Sequence, residues 1–245
     1  MSSLSAALII IGNEILSGRT QDANLNHLAK VLADRGLPLR EARVIPDVES
    51  TIIATVNELR AQHTCVFTTG GIGPTHDDIT TPCVAKAFGV PVVRNPEIVA
   101  RFKAHYGERA TDATFRMADF PHGATLIETD TTPAPGFCIG NVYVFAGIPR
   151  IMQAMLTSAL PTLPQGLPIR EISHTAHVSE SRISAGLESI QNRYPQLDIG
   201  SYPFRKNDKP TVTLVAKGTD AAALEQAGAA IAQMLADLGA ELTQP

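Results

Sequence analysis

The chain has 245 residues, enough for one large domain with a sizeable core and a smaller second one. A formal net charge of -4, with no basic stripe and no aromatic RNA-binding platform, leaves no electrostatic footprint for nucleic acid. Hydrophobic residues reach 44% while aromatic ones stop at 5%, so the core is expected to rest on Ala, Val, Ile and Leu, which suits an α/β protein.

Ala7 to Ile11 is an unbroken apolar run ending at Gly12, the pattern of a strand buried on both faces of a parallel sheet. Asn13 to Gly18 leaves its carboxyl end as a polar loop. Asp22 can then cap a helix whose Leu25, Leu28, Val31 and Leu32 follow helical spacing, with Gly36 as the stop. Arg43 to Ile45 is a short strand halted by Pro46, and Ile52, Ile53, Val56 and Leu59 mark a second helix. Cys65 to Phe67 is a buried strand, Thr69 to Asp78 a glycine-rich loop, and Thr81 to Phe88 a helix ended by Gly89. Val90 to Val93 and Glu97 to Tyr106 add a strand and a helix. This alternation predicts right-handed crossovers and a doubly wound sheet, in which ligands lie at the carboxyl ends of strands. Both the Asn13–Gly18 and the Thr69–Asp78 loops fall at such ends.

From Thr111 to Gly136 the sequence is irregular, with Ala124 to Ile127 as a strand candidate and Thr132 to Phe137 read as a stiff loop. A strand at Asn141–Phe145, a turn at Ala146–Pro149 and a helix at Ile151–Leu160 close the first region. Pro161, Pro164, Gly166 and Pro168 form a linker, so the domains are placed at 1–165 and 168–245. Beyond it, the order strand, helix, strand, strand, helix predicts a small α+β domain.

The loop Gly70-Gly71-Ile72-Gly73 between a strand and a helix start has the makings of an anion site, because glycine lets the backbone approach a ligand closely. Asp77 and Asp78 at its mouth would repel a phosphate unless a divalent cation or a proton lies between. A tight turn with an acidic helix start is the plainer alternative. Asn13-Glu14 likewise reads as a turn or as part of a strand-end site. His174 and His177 invite a metal reading, but an odd separation within a strand puts their rings on opposite faces. Ser179-Glu180-Ser181 is read chiefly as a helix cap, and Arg205-Lys206 with Lys209 as a solvated hairpin tip.

Cys65, Cys83 and Cys138 are odd in number and widely spaced, as reduced core thiols would be. The first seven residues lack the features of a signal peptide, and no apolar run approaches the ~20 residues of a membrane span. A cytoplasmic protein without membrane or nucleic-acid partners is expected.

The glycine loop, Gly12 to Gly18 upstream and Ala134-Pro135-Gly136-Phe137 downstream together resemble the CinA-type branch of the molybdopterin-binding (MoaB/Mog-like) superfamily over about Ala7 to Leu160. The tail, with Gly200 to Pro203, is similar to the small domain that follows in this branch and in the pterin-binding-like half of eukaryotic FAD synthases. The chain stops where full-length CinA proteins continue into an amidase domain, so deamidase activity is not expected.

The resemblance implies a three-layer α/β/α domain with a mostly parallel sheet and a homodimer. It also implies divalent-metal-dependent hydrolysis of a pyrophosphate bond in ADP-ribose or a related dinucleotide such as FAD. Asn13, Ser17, Gly18, Thr69, Gly70, Gly71, Gly73, Thr75, Pro135 and Gly136 are the expected substrate contacts. Asp78, Asp77 and Glu14 are the expected catalytic and metal-holding groups, for Mg, Mn or Co. Thr129 to Pro133 departs from the relatives' pattern, which bears on the far half of the substrate. The alternatives are a non-catalytic molybdopterin or nucleotide carrier, or a molybdopterin adenylyltransferase using ATP.

Overall fold

A computed structural model describes residues 4–243, which fall into two units, Met1–Gly166 and Leu167–Pro245. In the first, β1 (Ala6–Ile11) is buried at every position, as its apolar run requires, and leads through Gly12 into a short helical turn, α1 (Asn13–Leu16). The expected polar loop is thus helical at its start. There follow α2 (Asn24–Asp34), β2 (Leu39–Ile45), α3 (Glu49–Gln62), β3 (Cys65–Thr69) and α4 (Thr80–Phe88), which ends at Gly89. Asp22 accepts the Leu25 amide at 2.9 Å, just ahead of α2.

β4 (Val92–Arg94) and α5 (Pro96–Tyr106) come next, with the Asn95 carbonyl side chain capping the helix through Glu97 and Ile98. The stretch that reads as irregular is largely ordered into α6 (Asp112–Arg116), β5 (Asp119–Pro121), β6 (Thr125–Thr129) and β7 (Thr132–Ile139). The expected stiff loop at Thr132–Phe137 is therefore strand. Its two prolines fit because β8 (Val142–Phe145) pairs with β7 only from Phe137 onward, and the β6 register shifts beside them. α7 (Pro149–Ala159) completes the unit.

The main sheet runs β2-β1-β3-β8-β7-β6. β2, β1, β3 and β8 are mutually parallel, and the β6–β7 hairpin adds an antiparallel edge. β4 is not part of it: it pairs with β5 in a separate two-stranded ribbon. Alternate residues of each strand feed two cores. Ala7, Ile9, Ile11, Val66 and Val144 pack with α3, α4 and α5, while Leu8, Ile10, Phe67 and Phe145 pack with α2 and α7. These are the three layers, and the β1 and β3 carboxyl ends emerge side by side.

The second unit holds β9 (Arg170–His177), α8 (Glu180–Arg193), β10 (Asp198–Lys206), β11 (Lys209–Gly218), α9 (Ala221–Asp237) and a closing strand, β12 (Glu241–Thr243), that sequence reading missed. The antiparallel order β10-β11-β9-β12 makes this a βαββαβ, ferredoxin-like unit, with its core between α8, α9 and one sheet face. Among the described residues no helix is long and apolar enough to cross a membrane.

Candidate functional site

β3 ends where its neighbours end, and the chain must turn sharply over the sheet edge. Gly70 makes that turn with φ +98°, its amide donating to the Phe145 carbonyl at 3.2 Å. A side chain there would run into the Ile11 carbonyl. The buried Thr80, first residue of α4, ties the loop back: its hydroxyl donates to the Gly70 carbonyl and its amide to the Gly71 carbonyl, each at 2.9 Å. These bonds leave the amides of Gly71, Ile72 and Gly73 without a protein acceptor among the described residues. An exposed run of unpaired N–H groups is the physical content of an anion site.

Two carboxylates reach the same place. Glu14 is carried by α1, and a Cβ on Gly12 would lie 2.6 Å from both of its oxygens, so the carboxylate rests against a bare backbone. Asp78 sits likewise against Gly73, where a Cβ would be 2.7 Å from Oδ2. Its Oδ2 accepts the Thr75 amide at 2.8 Å and the Thr75 hydroxyl, which fixes the carboxylate in the loop. Glu14, Asp78 and Gly70 to Gly73 together line a cavity of about 490 Å³ whose other wall is apolar: Met117, Ala134, Ile148, Ile151 and Met155.

The other expected contacts lie elsewhere. Asp77 is not on this wall; its side chain is 61% exposed, and hydrogen bonding within the loop, from Thr75 first and then its own amide, with His76 as a smaller influence, holds its carboxyl below the ordinary range. The Asn13 amide donates to Asp47 at 2.8 Å, the Ser17 hydroxyl to the Glu14 carbonyl at 3.2 Å, and Gly18 sits in the turn that follows. Thr69 is 2% exposed beneath the loop, with a hydroxyl that has no partner among the described residues. Pro135 and Gly136 are buried in β7, where a Cβ on Gly136 would lie 3.0 Å from the Met155 sulfur. A Cβ there would meet the Val144 carbonyl first, at 2.6 Å, so Gly136 answers to strand packing and is not on the cavity wall. Thr75 faces a smaller neighbouring cavity, as does the first turn of α4. The apolar wall was not singled out in the sequence, because it comes from the irregular segment and from α7, whose residues there look like ordinary core.

No group of three or more His, Cys, Asp or Glu side chains that could hold a metal ion occurs among the described residues. The cavity offers two carboxylates and backbone amides. That donor set does not make a closed metal cage, but it suits a hard divalent ion, which takes one or two carboxylates and completes its shell with water and a ligand's phosphates. His174 and His177 fall in opposite-facing rows of β9, and the His177 ring bonds the Thr211 hydroxyl at 3.0 Å. Burial pushes the Cys65 and Cys83 thiols up to about 11, against reactivity. In the second unit, Ser179 begins α8 without a side-chain cap, and Glu180 accepts the Ser201 hydroxyl instead. Arg205 and Lys206 flank a two-residue hairpin turn at Asn207-Asp208, both in the left-handed region.

Residues 7–165 match the family model described as a probable molybdopterin binding domain, and residues 170–241 match that of the FAD synthase middle domain. A CinA-like protein of Desulfosudis oleivorans is 34% identical over 166 residues, covering 64% of this chain and 40% of its own length. A CinA-like protein of Syntrophobacter fumaroxidans is 31% identical over 226 residues, covering 87% of this chain and 53% of its own. The chain therefore spans about half or less of these two relatives. Among solved structures, a CinA protein of unknown function from Thermoplasma acidophilum is similar at a TM-score of 0.62 and 29% identity, over 66% of this chain and 99% of that one.

Proposed function

The chain belongs to the molybdopterin-binding family, in its CinA-type branch, and on that premise we propose that its first unit hydrolyses the diphosphate bond of ADP-ribose or a related dinucleotide such as FAD, with a divalent metal. The observation that carries the proposal is the convergence of Glu14, Asp78 and the unpaired amides of Gly71 to Gly73 on one wall of a cavity whose facing wall is apolar. A phosphorylated ligand with a flat ring needs both halves. The match of the second unit to a domain of FAD synthase supports a dinucleotide over an isolated phosphate.

In this account the Gly71–Gly73 amides bind the non-bridging oxygens of one phosphate, and the apolar wall holds the ring and keeps bulk water out. Asp78, locked by Thr75, is a fixed charge. Glu14, whose carboxylate has no hydrogen-bond donor among the described residues, takes the proton of the attacking water. The water oxygen bonds to phosphorus, the bridging P–O bond breaks, and its electron pair leaves with the second phosphate. A divalent ion held by Glu14, Asp78 and the substrate phosphates would supply Lewis acidity toward the phosphoryl oxygens and water.

The test is to incubate the protein with ADP-ribose or FAD and Mg, Mn or Co and to measure AMP. AMP release that depends on the metal is the expected result; no AMP with any of the three refutes hydrolysis. A non-catalytic carrier of molybdopterin or a nucleotide is the second reading, favoured by the small carboxylate set, and tight binding without turnover would establish it.

A further inference from the structure

The glycine loop has a second side. There, a cavity of about 240 Å³ shares Ile72, Gly73 and Asp78 with the larger one, so the two are separated by the thickness of this loop. Consecutive residues at the end of α6 face the two: Met117 lines the larger cavity and Arg116 the smaller. The Arg116 guanidinium donates from Nη2 to the Pro74 carbonyl at 2.7 Å, which holds it on the rim, and it has no carboxylate partner among the described residues. Asp119, beside it, is taken up by Arg94 through paired bonds of 2.6 and 2.8 Å.

Of the described residues lining the two cavities, Arg116 is the one that carries a guanidinium or ammonium group. The larger cavity presents two carboxylates and no cationic side chain, so beyond a divalent ion held there the distal phosphate finds no positively charged partner from the protein. A ligand whose ring fills the apolar half and whose first phosphate meets the Gly71–Gly73 amides carries its next phosphate over Gly73 and Asp78. Arg116 is the charge it meets there, and a guanidinium forms paired hydrogen bonds to phosphate oxygens.

We propose that Arg116 binds the phosphate distal to the ring and so selects dinucleotides and diphosphates over mononucleotides. The inference rests on the site being a nucleotide diphosphate site. A mononucleotide, ending at the glycine amides, would not reach Arg116.

The experiment is calorimetric titration of the full chain with ADP-ribose and, separately, with AMP, in the wild type, Arg116→Gln and Arg116→Lys. Glutamine removes the charge and, being shorter, also gives up the bond to Pro74, which is why AMP serves as the control for loop bracing. Arg116→Gln is expected to weaken ADP-ribose by about 10- to 100-fold, the value of a charged hydrogen bond, and to leave AMP nearly unchanged. Arg116→Lys, which keeps the charge but not the fork, is expected to recover part of the loss and provides the same comparison if the glutamine variant does not fold. Equal weakening of both ligands would show that Arg116 only braces Pro74, and unchanged ADP-ribose affinity would remove it from the site; either overturns the inference. Failure of the wild type to bind either ligand would instead bring down the nucleotide reading itself, and this inference with it.

Discussion

The Thr80 hydroxyl donates to the Gly70 carbonyl at 2.9 Å, joining the turn after β3 to the first residue of α4 across ten positions of chain. Thr80 is fully buried, so the bond has no water to replace it if the hydroxyl is removed. Thr80→Val keeps the shape and loses the donor. It is expected to lower stability by about 1–3 kcal/mol in urea denaturation and to weaken ligand binding through a looser loop.

The two aspartates should separate in function. Asp78 lines the cavity and Asp77, which the sequence reads as the better candidate for a cap, does not. Asp78→Asn is expected to cost on the order of 100-fold in AMP release, as does loss of a single transition-state stabiliser. Asp77→Asn should leave the rate near that of the wild type. Steady-state rates for the two variants check this.

Gly12 and Glu14 offer a subtler probe. The Gly12 backbone is extended, at φ 165°, so alanine is tolerated there, but its Cβ would lie 2.6 Å from the Glu14 oxygens. Gly12→Ala is expected to push the carboxylate aside and reproduce the rate loss of Glu14→Gln with the acid still present. Matching kcat values in the two variants, with an unchanged melting curve, would bear this out.

The buried thiols make a prediction about alkaline stability. Burial raises the Cys65 and Cys83 pKa to about 11 from an ordinary 9.0. The folded state then holds these protons more tightly than the unfolded one. Their contribution is complete below pH 9, declines as the unfolded thiols ionise and is lost as the pH passes 11. Denaturation midpoints measured from pH 8 to 11 should fall, and Cys65→Ala with Cys83→Ala should flatten the decline.

Much of the first unit was legible because its chemistry is local. The runs Ala7–Ile11 and Cys65–Phe67 can only be buried strands, and Gly36 and Gly89 end their helices where the sequence says. The meeting of the Asn13-Glu14 turn with the glycine loop was also readable, since parallel strands place their loops on one rim. Pro133 and Pro135 misled, because what excuses them is the missing neighbour on one side of β7, a tertiary fact. Met117, Ile151 and Met155 carried no signal, as a side chain on a ligand cavity and one in a core look alike in sequence. Thr69 was read as a contact from the loop it opens, but it is 2% exposed and lies buried beneath that loop.

The most direct measurement is a crystal structure of the chain with ADP-ribose and Mg. The account predicts the diphosphate between Glu14, Gly71 and Asp78, with phosphate oxygens about 2.7–3.2 Å from the loop amides and the adenine against Ile151 and Met155. Density for the nucleotide on the second unit instead of at the glycine loop, or the metal held by Asp77 in place of Asp78, would contradict it.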